Sequence, residues 1–177
     1  MPRYELVQSA GDVPYDDWAG RGVKAVLFDK DGTLTHANQP TMIDGVLESL
    51  QQQELNRLFS HIGISSNNPD TRAVNTLASL LEDRLDIGVL ALSSAAYRRK
   101  PHPEMGLAAA EQLGVSPNEL GIVGDRRLTD VSFGLRVGAG AIALCEKGGD
   151  GDALFVPTLR RVEKVFVRAE QAMRRVA

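Results

Sequence analysis

The sequence predicts an α/β fold, a Rossmann-like, doubly wound parallel sheet with helices on both faces. Five short apolar runs, each of four to six residues, recur without strict alternation, the pattern of strands buried on both sides. Segments of helical period separate them, and that succession specifies parallel strands joined by crossover helices. The runs end in polar residues, and in such sheets ligands gather outside the carboxyl ends of the strands.

With 177 residues the chain fits one domain, 1–177, with a core over about 23–145 and a closing helix over about 154–176. Hydrophobic residues at 43% and charged residues at 24% exclude the disordered and fibrous classes. A net charge of -3 excludes the global basic excess of a dedicated nucleic-acid binder, so no nucleic-acid partner is expected. Cys145 is the only cysteine, which excludes an internal disulfide and any multi-thiolate zinc site; it reads as a small core residue. No apolar stretch approaches the roughly 18 residues that span a bilayer. Residues 1–20 mix Arg3, Glu5, Asp12, Asp16 and Asp17 among apolar residues, unlike a signal peptide or an Arg-rich transit segment. The expected location is a cytoplasm or an organelle matrix or stroma, not the secretory route.

The first run, 23–28, delivers the chain to Asp29-Lys30-Asp31-Gly32-Thr33-Leu34-Thr35. Carboxylates at i and i+2 on an extended strand end point the same way, so Asp29 and Asp31 can share a site, and Gly32 lets the backbone turn sharply. A hard cation such as Mg²⁺ between them would relieve their repulsion, although an acidic pair is also ordinary at a strand-to-turn junction. A helix is predicted over 42–57. The second run, 59–64, exits into Ser65-Ser66-Asn67-Asn68, where a hydroxyl and backbone N–H groups suit a phosphate oxygen, or equally cap the helix predicted over 70–83.

The third run, 87–92, leads to Arg98-Arg99-Lys100-Pro101-His102-Pro103. The proline after Lys100 biases its backbone to an extended form ahead of a helix at 103–113, presenting an ammonium toward the sheet edge. Arg98 and Arg99 also fit a solvated basic loop. The fourth run, 120–123, exits into Gly124-Asp125-Arg126-Arg127-Leu128-Thr129-Asp130, with a helix predicted over 129–137 and a fifth run at 139–144. Asp125 would complete a cation site, and Asp130 fits both that site and a helix-terminus acid. One shared site explains an acid pair, a hydroxyl, a lysine and a further acid after four successive strands more simply than four separate structural reasons. His36, His61 and His102 share no ligand spacing.

That order resembles the haloacid-dehalogenase superfamily of phosphotransferases, whose Asp-x-Asp-Gly-Thr-Leu signature stands at residues 29–34. Within it the chain is similar to the mitochondrial and plastid phosphatidylglycerophosphate phosphatases and their bacterial relatives. The similarity rests on Phe28-Asp29-Lys30-Asp31, Ser66-Asn67-Asn68, Lys100-Pro101, Val123-Gly124-Asp125-Arg126 with Thr129-Asp130, and Leu159-Arg160-Arg161-Val162-Glu163. Those enzymes often carry Asn where this chain has Gly32.

The resemblance implies a Mg²⁺-dependent phosphomonoester hydrolase acting through an aspartyl-phosphate, with phosphatidylglycerophosphate as substrate and phosphatidylglycerol as product. It makes Asp29 the nucleophile and Asp31 the general acid and base. Mg²⁺ would be held by Asp29, the Asp31 main-chain carbonyl and Asp125, with Asp130 supporting from behind. Thr33, Ser66, Asn67 and Lys100 would bind phosphoryl oxygens. Two other readings stay open: a soluble sugar- or metabolite-phosphate phosphatase, and a non-catalytic binding protein on the same fold.

Residues 35–64 and 67–100 each have room for one helix and one strand, so no cap domain is expected over the site. An open site suits a phosphate protruding from a large body such as a lipid headgroup. In the last segment Phe155, Leu159, Val162, Phe166, Ala169, Met173 and Val176 form an apolar stripe at helical spacing. Six basic residues against two acidic ones surround it over 157–177. That basic amphipathic helix fits peripheral association with an anionic membrane, and fits equally a helix packed on the sheet with a solvated basic face.

Overall fold

A computed structural model describes residues 4–146. Its strands are β1 (Glu5–Val7), β2 (Ala25–Phe28), β3 (His61–Ser66), β4 (Gly88–Ser93), β5 (Leu120–Gly124) and β6 (Ala141–Cys145). The helices are α1 (Tyr15–Gly20), α2 (Val46–Gln52), α3 (Leu55–Leu58), α4 (Thr71–Leu85), α5 (Glu104–Leu113) and α6 (Ser132–Val137). The strands form one six-stranded sheet in the order β1-β6-β5-β2-β3-β4, every pairing parallel. The doubly wound expectation therefore holds. The closing helix expected over 154–176 lies outside the described residues.

The strands lack hydrophobic alternation because both faces are covered. In β2, Val26 and Phe28 pack into one apolar cluster while Ala25 and Leu27 pack into the other. The first cluster joins the sheet to Trp18 of α1, Leu50 of α2, Leu55 of α3 and Leu81 of α4. The second joins it to Met105 of α5 and Phe133 of α6. Each fully buried large side chain of this kind contributes about 1.5–3 kcal/mol relative to exposure.

Four elements differ from the sequence reading. The edge strand β1 and the six-residue helix α1 were not expected. Both are too short to show a period, and the first turn of α1 carries two exposed acids, Asp16 and Asp17, between the fully buried Tyr15 and Trp18. The helix expected over 42–57 is two helices, broken where Glu54 takes a left-handed conformation at φ 47°. The helix expected over 129–137 begins instead as a single π-helical turn, Arg127–Val131, that runs into α6.

Strand order reverses between β2 and β5: the chain continues from β2 to β3 and β4 on one side, then returns to β5 on the other. The ends of β2 and β5 therefore flank the switch point where doubly wound sheets open a crevice. Among the described residues the β3–β4 crossover contains α4 alone, and the β2–β3 crossover contains a loop with α2 and α3. The spacing gave each crossover room for one helix: the β3–β4 crossover has one, whereas the β2–β3 crossover has two short ones.

Candidate active site

At the end of β2 the Asp29 N–H donates to the Val123 carbonyl of β5 at 2.8 Å, which extends the pairing by one residue and fixes Asp29 over the switch point. The chain then curls. The Lys30 carbonyl accepts from the N–H groups of Leu34 at 3.0 Å and Thr35 at 2.9 Å, and Gly32 turns at φ 87°, a left-handed conformation that favours glycine. This tight loop keeps Asp29 and Asp31 on one cleft, as the i, i+2 spacing predicted. The cleft has a volume of about 310 Å³.

Lys100 reaches the centre of the site from the loop after β4. Its Nζ donates to Asp29 Oδ1 at 2.7 Å and to Asp130 Oδ1 at 2.6 Å, and its side chain is 2% exposed. It also stands 5.8 Å from the Phe133 ring centroid. Asn67, after β3, holds the Lys100 backbone from both sides: Oδ1 accepts the Lys100 N–H at 2.7 Å and Nδ2 donates to the Lys100 carbonyl at 3.0 Å. The Asn67 amide thus engages the main chain of the lysine while lining the cleft.

Asp130 comes from the π-helical turn after β5. Its Oδ2 accepts from the Arg126 N–H at 3.1 Å and the Thr129 hydroxyl at 3.2 Å, so both carboxylate oxygens are engaged. One carboxylate oxygen each from Asp29, Asp125 and Asp130 lies within 4.8 Å of the others, and all three residues are buried. At that separation each like-charged pair costs about 3 kcal/mol at an effective dielectric near 20. Lys100 pairs with two of them, Asp29 and Asp130. A cluster of hard oxygen donors, free of cysteine and histidine, fits a hard divalent cation such as Mg²⁺.

Protonation follows from burial and pairing. Burial pushes the Asp29 carboxyl up from 3.8 to about 6; the Lys100 ammonium opposes the rise, and Asp130 and Asp31 add to it. Burial alone would lower Lys100, but Asp130 and Asp29 outweigh it and hold the ammonium above the ordinary lysine range. Cys145, at the end of β6, is buried, and desolvation raises its thiol far from thiolate chemistry, as expected of a core residue.

Of the remaining expected groups, Asp31 lines the cleft, whereas Ser66 and Thr33 are not among its lining residues. Ser66, the last residue of β3, is fully buried and its hydroxyl accepts from the Asn68 N–H at 3.1 Å. The Thr33 hydroxyl is buried without a hydrogen-bond partner among the described residues. Asp31 accepts from the Asn38 N–H at 2.9 Å and from Lys30 Nζ at 2.7 Å, both on Oδ1. The sequence reading gave Lys30 no role, because neighbours on a strand point to opposite faces and only the turn at Gly32 lets them meet. A buried-strand exit with a cation between two acids was the available signal.

The chain is similar to several known proteins. The family described as mitochondrial PGP phosphatase matches residues 7–148. The chain is 30% identical over 172 residues to phosphatidylglycerophosphate phosphatase 1, chloroplastic, of Chlamydomonas reinhardtii, covering 90% of this chain and 59% of that protein. It is 27% identical over 167 residues to phosphatidylglycerophosphate phosphatase 1, chloroplastic/mitochondrial, of Arabidopsis thaliana, covering 90% and 46%. The chain thus spans about half the length of these relatives. A HAD family hydrolase of Deinococcus radiodurans, solved with bound phosphate and sodium, shares the fold at a TM-score of 0.54 and 17% identity over 79% of this chain and 89% of that one. A putative HAD-like phosphatase of Mesorhizobium loti does so at 0.52 and 20% over 69% and 72%.

Proposed function

The chain belongs to the mitochondrial PGP phosphatase family of haloacid-dehalogenase-type proteins, and from that premise we propose that it is a Mg²⁺-dependent phosphomonoesterase that removes the terminal phosphate of phosphatidylglycerophosphate. The observation that carries the reading is the buried bridge of Lys100 Nζ to Asp29 at 2.7 Å and to Asp130 at 2.6 Å beside Asp125, on a cleft that Asp31 also lines.

Asp29 is the nucleophile. Lys100 fixes its Oδ1, and Oδ2, which accepts no hydrogen bond among the described residues, attacks phosphorus. The bond from phosphorus to the glycerol oxygen breaks, its electron pair leaves with the alkoxide, and Asp31 gives that alkoxide a proton. The phosphoryl group then sits on Asp29 as an acyl phosphate. Ionised Asp31 takes a proton from water, the water attacks the same phosphorus, and phosphate departs with Asp29 restored as a carboxylate. Lys100, Thr33, Ser66 and Asn67 are assigned to the phosphoryl oxygens. Asp29, the Asp31 carbonyl and Asp125 would hold Mg²⁺, with Asp130 behind them. The cation, when bound, offsets the repulsion between an anionic carboxylate and an anionic phosphoryl group.

The test is phosphate release with Mg²⁺ from phosphatidylglycerophosphate in mixed micelles and from soluble sugar and metabolite phosphates. The lipid is the preferred substrate, and Asp29→Asn abolishes turnover while leaving the melting temperature near that of the parent. Preference for a soluble ester overturns the lipid assignment, and Mg²⁺-dependent turnover by Asp29→Asn overturns the nucleophile.

The location follows from the substrate. Among the described residues no helix is long and apolar enough to cross a membrane. The domain works in an organelle matrix or stroma or a cytoplasm, meeting the membrane through the basic segment at 154–176. Charge reversal of Arg168, Arg174 and Arg175 weakens cosedimentation with anionic vesicles; unchanged binding excludes that contact.

A further inference from the structure

The cleft contains more positive charge than phosphoryl transfer uses. The Lys100 ammonium is committed to Asp29 and Asp130, and the Lys30 ammonium to Asp31. Arg99 and Arg126 also line the cleft, and neither guanidinium has an ion-pair partner among the described residues. The Arg126 Nε is buried and lacks any hydrogen-bond partner there. A buried donor left in that state is costly in a folded protein unless a ligand or water completes it.

Both arginines stand on fixed backbone. The Arg126 N–H donates to Asp130 Oδ2 at 3.1 Å, and its carbonyl accepts from the Asp130 N–H at 2.8 Å and the Val131 N–H at 3.4 Å. Arg99 directly precedes the residue whose main chain Asn67 clamps, and its carbonyl accepts from the His102 N–H at 3.0 Å. They approach from different loops, after β4 and after β5. A guanidinium fork matches the paired oxygens of a phosphate, and a position set by the main chain lowers the entropy lost on binding.

We propose that Arg126, assisted by Arg99, forms a second-anion subsite that receives a further phosphate of the same substrate, so the enzyme selects phosphomonoesters carrying a second phosphate group nearby. This rests on reading the cleft as a phosphomonoesterase site. In phosphatidylglycerophosphate the second group is the phosphodiester, one glycerol away from the reacting phosphorus. A soluble bisphosphate presents the same chemistry, and a simple monophosphate does not.

The experiment measures kcat/KM with Mg²⁺ on glycerol 3-phosphate, on glycerol 1,3-bisphosphate and on short-chain phosphatidylglycerophosphate, for the parent protein, Arg126→Gln, Arg126→Lys and Arg99→Gln. The parent favours both two-phosphate substrates over glycerol 3-phosphate. Arg126→Gln cuts that ratio by about tenfold or more, as expected for a charge-assisted contact, Arg99→Gln cuts it less, and Arg126→Lys keeps part of it. A ratio unchanged in Arg126→Gln, or losses equal on all three substrates, overturns the subsite. Calorimetric titration of glycerol 1,3-bisphosphate into Asp29→Asn, with and without Arg126→Gln, reads the contact without turnover; equal affinities overturn it as well. Preference for the soluble bisphosphate over the lipid supports the subsite while removing the lipid assignment. Hydrolysis by the parent with no two-phosphate preference removes the subsite and leaves the phosphatase reading standing.

Discussion

Lys30 Nζ donates to Asp31 Oδ1 at 2.7 Å, an ion pair between chain neighbours whose lysine side chain is only 3% exposed. The Asn38 N–H takes the same oxygen at 2.9 Å, and Thr35 Oγ1 lies 3.3 Å from the ammonium. Both contacts fall on Oδ1, so in the proposed mechanism Oδ2 would be the oxygen that handles the proton, and Lys30 would act as a positioning residue for its transfer to the leaving group.

Lys30→Met keeps the length of the side chain and removes its charge. The expected loss is about 10- to 100-fold in kcat on glycerol phosphates, a part of the 10²–10⁴ that general acid catalysis supplies. On an aryl phosphate, whose leaving group departs without a proton, single-turnover formation of the acyl phosphate slows far less. Equal losses on both esters would show that the lysine only holds the loop together.

Lys100 is the sole protein cation in contact with Asp29 and Asp130 among the described residues. Lys100→Met leaves two buried carboxylates without it, a change that costs about 3–5 kcal/mol when one partner of a buried ion pair is removed. Urea unfolding shows the loss at full size in EDTA and reduced in Mg²⁺, because the cation replaces part of the missing charge. The same loss in both solutions would mean that the metal does not meet these carboxylates.

Asp29 also sets a pH dependence. Its carboxyl is pushed up from 3.8 to about 6, chiefly by burial, so metal-free protein binds a proton on folding between those values. Stability from this group therefore falls as pH rises through that window, the reverse of an ordinary salt-bridged aspartate. Mg²⁺ needs the ionised carboxylate, so the Mg²⁺-induced rise in melting temperature is small near pH 5 and grows toward about pH 7.5. A rise of constant size across that range excludes Asp29 as a ligand.

What the sequence disclosed and what it hid divide along physical lines. Strand exits are legible because an apolar run buried on both faces must end where polar residues begin, which places Asp29, Ser66, Lys100 and Asp125 toward one edge of the sheet. Glu5–Val7 was hidden because three half-buried residues have no period. The break at Glu54 was hidden because a left-handed glutamate stands where glycine or asparagine usually signals one. The Asn67 clamp on Lys100 joins residues 33 positions apart, and the Lys30–Asp31 pair depends on a turn rather than a period. Local pattern locates chemistry-bearing residues, whereas the contacts that orient them are tertiary.

Gly124 shows how closely the backbone is fitted to that orientation. It ends β5 immediately before Asp125, and a Cβ added there would overlap the Cβ and Cγ of Asp130 and lie 2.7 Å from its Oδ2. Asp130 has no easy retreat, since Oδ1 holds Lys100 and Oδ2 holds the Arg126 N–H within the π-helical turn. Gly124→Ala therefore costs about 1–3 kcal/mol as an overpacked core site. Its larger effect is on the metal: the displaced Asp130 pulls Lys100 from Asp29, and the Mg²⁺ concentration for half-maximal activity rises by about tenfold or more, within the 10- to 100-fold range seen when groups supporting metal ligands are lost. A magnesium titration of the variant beside its melting curve checks both halves. Parent-like magnesium dependence in a destabilised variant would show that Asp130 serves packing alone.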